Sequence, residues 1–173
     1  CDMLPQRRIR ALIPCVNAAR RSQIEALLPK FADLSVNLVD NDTRSALVAA
    51  NAAMIKTGTS TLEAMLLGRP MVVSYKLGSF SYRIASRLVD TPYIALPNIL
   101  AGEELVPELI QDAATPEALA RALLPLLDED HESARRAGVF AEMHRQLRDG
   151  ASGHGANATA ALEISRLLSA HKR

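Results

Sequence analysis

At 173 residues, 49% of them hydrophobic, 3% aromatic and none Trp, the chain can bury one core of Ala, Leu and Val, which suits a helix-rich α/β domain. Twenty basic and 19 acidic residues leave a formal charge of +1, so nothing electrostatic argues for a nucleic-acid partner. The two cysteines, Cys1 and Cys15, sit in no metal-ligand spacing and point to a reduced, intracellular setting, and no run of about 18 apolar residues is present to span a bilayer.

The chain opens CDMLPQRRIR, without an initiator Met at its first position, and runs straight into a strand, as expected of a piece of a longer protein. Arg8 to Val16 reads as a buried strand, and Ala18 to Lys30 as an amphipathic helix with Ile24, Leu27 and Leu28 on its apolar face. Leu34 to Val39 is a second strand, ending at the turn Asp40-Asn41-Asp42. Thr43 is expected to cap a helix that runs to about Ala50. Ala52 to Ile55 is a short strand, and a loop then leads into a helix over Ser60 to Leu67. Gly68 stops that helix and Pro70 stands just beyond it. Met71 to Tyr75 is the next strand, Phe80 to Val89 a helix, and Tyr93 to Leu96 a short strand. Helices are expected around Glu104 to Ile110, Pro116 to Leu127, Glu132 to Arg148 and Ala156 to Ala170, with a hinge at Asp149 to Gly155. Strands alternating with helices at this spacing predict an α/β fold: a Rossmann-like parallel sheet with flanking helices and a helical C-terminal extension.

The chemistry is concentrated in KTGTSTLEAMLLGRPMVV, residues 56–73. If Thr57, Gly58, Thr59, Ser60 and Thr61 join a strand to a helix, the first helical amides lack intrahelical acceptors and point into the loop. The helix dipole adds positive charge, Gly58 allows close approach, and the hydroxyls add donors. That is an anion site, and a diphosphate is its natural guest. Glu63, a turn further on, can accept hydrogen bonds from a ribose diol. The same residues also fit a capping box, Ser60-x-x-Glu63, in which Glu63 only returns to the helix start. Neither a Walker motif nor G-x-G-x-x-G is present. The four histidines are scattered and read as solvated. Arg7, Arg8, Arg10, Arg20 and Arg21 make the amino-terminal part basic, either as ordinary surface charge or as a contact for anionic lipid headgroups.

Two segments, TGTSTLEAMLLGRPMVVSYK and ALPNILAGEELVPEL, resemble the lipid-A-disaccharide synthases, and the similarity runs from about Arg8 to the last helix. The first segment is shared in kind by many sugar-nucleotide glycosyltransferases; the second is more particular to this family. The resemblance implies one half of a GT-B fold, with residues 1–148 as the nucleotide-sugar-binding domain and 149–173 as hinge and final helix. It implies transfer of 2,3-diacylglucosamine from UDP to 2,3-diacylglucosamine 1-phosphate, with UDP-diacylglucosamine as donor substrate, and neither cofactor nor metal. Carried onto this sequence, Thr57, Gly58, Thr59, Ser60 and Thr61 would hold the diphosphate and Glu63 the ribose. Asn98 would be the catalytic-site polar residue, and the loop after Leu38 and Val39 would frame the uracil. Lys76, Arg83 and Glu103 are further cleft candidates. The family's amino-terminal domain, with the acceptor site and general base, has no counterpart here and would be a partner, so the chain alone is expected to be inactive. The implied setting is cytoplasmic, peripheral on the inner membrane of a Gram-negative-type bacterium, beside a lipid acceptor; a homodimer stays open. Alternatives are another UDP-sugar GT-B enzyme, such as a 2-epimerase, or a nucleotide-binding domain without turnover.

Overall fold

The structure, a computed structural model, describes residues 9–76, 92–128, 131–149 and 155–170. The chain divides into two compact units, Cys1–Asn51 and Ala52–Arg173. The expected helix over Phe80 to Val89, most of the Asp149 to Gly155 hinge, and Arg7, Arg8 and Arg83 lie outside the described residues.

In the first unit, β1 (Arg10–Cys15) pairs in parallel with β2 (Ser35–Asp40), from Arg10 opposite Ser35 to Cys15 opposite Asp40. Pro14 is tolerated because β1 is paired on one side only within this unit. Helix α1 covers Ala18–Glu25, and Asn17 caps it by accepting the Arg20 amide at 2.9 Å. It stops short of the expected Lys30. Pro29 lacks an N–H, and its ring would meet the carbonyl of Glu25, four residues back; a 3₁₀ turn, Leu28–Phe31, follows instead. Helix α2 spans Thr43–Ala49, and its cap is Asp42, not Thr43: the Asp42 carboxylate accepts the Ser45 amide at 3.0 Å. Arg21 forks onto Asp40 with two contacts of 2.9 Å and also reaches Glu25, so this part of the basic cluster is neutralised by its own neighbours.

The second unit holds a three-stranded parallel sheet in the order β3 (Ala53–Lys56), β4 (Met71–Tyr75), β5 (Glu108–Ile110). Helix α3 (Thr59–Leu66) crosses from β3 to β4 and buries Thr61, Ala64 and Met65, the i, i+3, i+4 stripe of an amphipathic helix. Gly68, at φ 66°, ends the turn, and the Arg69 amide reaches back to the Ala64 carbonyl at 2.8 Å. The middle strand is the most enclosed: Met71, Val72 and Val73 are all buried, as a strand covered on both faces requires. Ala95, Val106 and Phe140 complete this core.

Two expectations are corrected here. The segment around Tyr93 to Leu96 forms no strand; helix α4 (Leu96–Ala101) begins there, with Pro97 in its first turn, where a missing N–H costs nothing. The helix expected over Glu104 to Ile110 is replaced by a loop and β5. Pro107 cannot sit inside a helix, and its carbonyl instead accepts the Val73 amide of β4 at 2.9 Å. Beyond this sheet the chain is helical: α5 (Pro116–Leu123), a 3₁₀ turn at Leu124–Leu127 brought on by Pro125, α6 (His131–Asp149) and α7 (Gly155–Ala170). The boundary expected at 148/149 falls at the last residue of α6, inside the second unit. No described helix is long and apolar enough to cross a membrane.

Candidate functional site

The loop between β3 and α3 lies at the carboxyl edge of the parallel sheet, where open α/β sheets take their ligands. Gly58 is the N-cap of α3, with φ 142° and ψ −167°, and no side chain caps the helix. Only glycine adopts that backbone freely, and among the described residues nothing lies within 4 Å of where a Cβ would stand. The Thr59 and Ser60 amides, first in the helix, have no intrahelical acceptor by position.

The hydroxyls divide into two groups. Thr57 donates its hydroxyl to the Ile94 carbonyl at 2.9 Å and its amide to the Ser74 carbonyl at 3.3 Å. Thr61, fully buried, turns its hydroxyl back onto the Gly58 carbonyl at 2.7 Å. Both side chains therefore shape the loop. Thr59 is exposed and Ser60 half-buried, and neither hydroxyl has a partner among the described residues. Those two residues and Gly58 are what the loop offers to a ligand.

Glu63 is exposed, and its carboxylate likewise has no partner among the described residues. The capping-box alternative is not what forms. With Gly58 as the N-cap, Ser60 is the second helical residue and Glu63 the fifth, so neither occupies its place in that motif.

Asn98 is fully buried on α4 with its side chain completely used. Its amide group donates to the Val106 carbonyl and to Glu108 Oε1, each at 2.8 Å, and its oxygen accepts the Leu105 and Val106 amides at 2.8 and 2.9 Å. In this geometry Asn98 fixes the turn between α4 and β5. Sequence reading missed Glu108, whose carboxylate accepts the Ile94 amide at 2.9 Å, the Ala95 amide at 2.8 Å and the Asn98 side chain. From a distant strand it holds the residues that lead into α4, and no local spacing signals it. Lys56 lies over the Tyr75 ring, 5.5 Å from its centre, at the same sheet edge. Glu103 instead lines a groove of about 490 Å³ with Leu100, Arg135 and Glu142. The loop after Leu38 and Val39 belongs to the first unit, with Asn41 in the left-handed region at φ 52°.

A parallel β-α-β unit with a glycine-headed, uncapped helix at its carboxyl edge defines a Rossmann-like α/β domain. The chain belongs to the lipid-A-disaccharide synthetase family, whose profile matches residues 5–162. It is 51% identical over 150 residues to the lipid-A-disaccharide synthase of Pseudomonas aeruginosa (strain LESB58), covering 87% of this chain and 39% of that protein. It is 48% identical over 152 residues to the enzyme of the same name from Sodalis glossinidius, covering 87% and 40%. For the one from Pseudomonas putida (strain GB-1) the figures are 47% over 162 residues, 94% and 42%. The chain thus spans about two fifths of the length of the curated relatives it matches.

Proposed function

We propose that this chain is the donor-binding half of a GT-B glycosyltransferase that moves 2,3-diacylglucosamine from UDP to 2,3-diacylglucosamine 1-phosphate, forming the lipid A disaccharide. The observation that carries the reading is the glycine-headed, uncapped start of α3 with the Glu63 carboxylate, unpartnered among the described residues, on the same helix. Family membership supports the reaction.

In this reading the diphosphate of UDP sits over Gly58 and accepts the Thr59 and Ser60 amides, with their hydroxyls as further donors. Glu63 accepts from the ribose diol. As the glycosidic bond to UDP breaks, negative charge grows on the leaving diphosphate, and fixed amides at a helix N-terminus stabilise that charge without having to reorganise. Thr57, Thr61 and Asn98 hold the loop and its neighbour in shape. The acceptor site and the base that deprotonates the acceptor hydroxyl belong to the amino-terminal domain of the whole protein, which works on a membrane surface at the cytoplasmic face of the inner membrane. No cofactor enters this scheme.

Calorimetric titration of the chain with UDP and with inorganic pyrophosphate tests it. Saturable UDP binding, tighter than pyrophosphate because the ribose reaches Glu63, is the expected result. Equal affinity for the two, or no binding of either, contradicts it.

A further inference from the structure

The two segments at the sheet edge are joined through a single residue, Ile94. The Ile94 carbonyl accepts the Thr57 hydroxyl at 2.9 Å, and the Ile94 amide donates to Glu108 at 2.9 Å. Glu108 also takes the Ala95 amide and the Asn98 side chain, both at 2.8 Å. One carboxylate on β5 therefore collects three N–H donors from residues 94–98, and that same stretch is tied to the first residue of the anion-binding loop. Hydrogen bonds to an ionised acceptor are the strong kind, and a donor left without its acceptor in a half-buried place is costly.

We propose that Glu108 is a positioning residue for the donor: it fixes Ile94, and through the Ile94–Thr57 bond it sets the loop that receives the diphosphate. Glu108 touches no ligand itself. Its effect reaches the site by way of Thr57, so the Glu108 carboxylate and the Thr57 hydroxyl act as one device. The inference rests on the UDP reading above and adds a residue and a route to it.

The test is a double-mutant cycle on UDP affinity, measured by calorimetry on the chain. Glu108→Gln keeps the shape but turns one acceptor oxygen into a donor facing N–H groups. Thr57→Val removes the hydroxyl, and Thr57→Ser keeps it. Each of the first two should weaken UDP binding by about five- to tenfold, a common size for coupling between sites. The double variant should be little worse than the weaker single variant, and Thr57→Ser should bind like the parent. Affinity losses that multiply, or a Glu108→Gln chain that binds UDP as tightly as the parent, overturn the proposal. Should Glu108→Gln fail to fold, hydrogen exchange in the unaltered chain decides. UDP should slow exchange of the Ile94 and Ala95 amides, and unchanged exchange there overturns the proposal. Glu63→Ala separates the two levels. UDP binding that is lost in Glu63→Ala but indifferent to Glu108→Gln sinks the positioning role alone. An unaltered chain that takes no UDP sinks both.

Discussion

Helices α3 and α5 lie in the same unit and begin in opposite ways. The mouth of α5 is closed by Thr115, whose hydroxyl accepts the Ala118 amide at 3.1 Å. In α3 the equivalent place is held by Gly58, and no side chain turns back to the amides. In the first unit Asn17 and Asp42 close α1 and α2 as Thr115 closes α5. Helix α4, like α3, has no side-chain cap; Glu108 holds only the Ile94 and Ala95 amides that lead into it. A helix start with glycine in place of a side-chain acceptor forgoes roughly a few tenths of a kcal/mol of capping stabilisation. Among these five helices α3 alone begins at a glycine N-cap, and it does so at the carboxyl edge of the sheet.

The difference can be broken from either side. Gly58→Val puts a β-branched residue where φ is 142° and a side chain into the open space over the amides. Two charge-assisted hydrogen bonds would be lost, so UDP affinity should fall on the order of a hundredfold, read by calorimetry. Glu63→Ala removes one acceptor from the ribose and should weaken UDP about tenfold while leaving pyrophosphate affinity unchanged, as a matched titration would record.

These two substitutions also mark how much was legible beforehand. The β-α-β order, the loop, Gly58 and Glu63 follow from turn chemistry and spacing, because glycine, hydroxyl and proline positions act locally. Which hydroxyls face outward was not legible: Thr57 and Thr61 are claimed by the carbonyls of Ile94 and Gly58, and the first of these lies 37 residues away. The strand at Glu108–Ile110 was hidden for the same reason. Its apolar residues suit a helix as well as a strand, and only pairing with β4 and the Pro107 carbonyl decide between them. Glu108 looks like an ordinary surface carboxylate, and Asn98 like a catalytic-site residue, until the fold brings the two together.

Thr115→Ala sharpens the comparison. It should cost about 1 kcal/mol of stability in a denaturant titration and leave UDP affinity as it was, because that mouth serves only its own helix. The smallest effect concerns pH. The Asp42 carboxyl is held below its ordinary value of 3.8 by its hydrogen bonds to Ser45, the side-chain bond first and the backbone bond second. A carboxyl whose pKa is depressed by folding stabilises the native state above its unfolded pKa, and that contribution is lost as pH falls through the folded value. Acid should therefore loosen the start of α2 at pH below 3.8, seen as faster hydrogen exchange at Ser45, and Asp42→Asn should flatten that dependence.

The most direct measurement follows the amide resonances of this chain as UDP is added. The account predicts saturable shifts at Thr59 and Ser60, with Ala118 at the mouth of α5 unmoved. Shifts of equal size at both helix starts, or an unmoved Thr59 and Ser60 at saturating UDP, would contradict it.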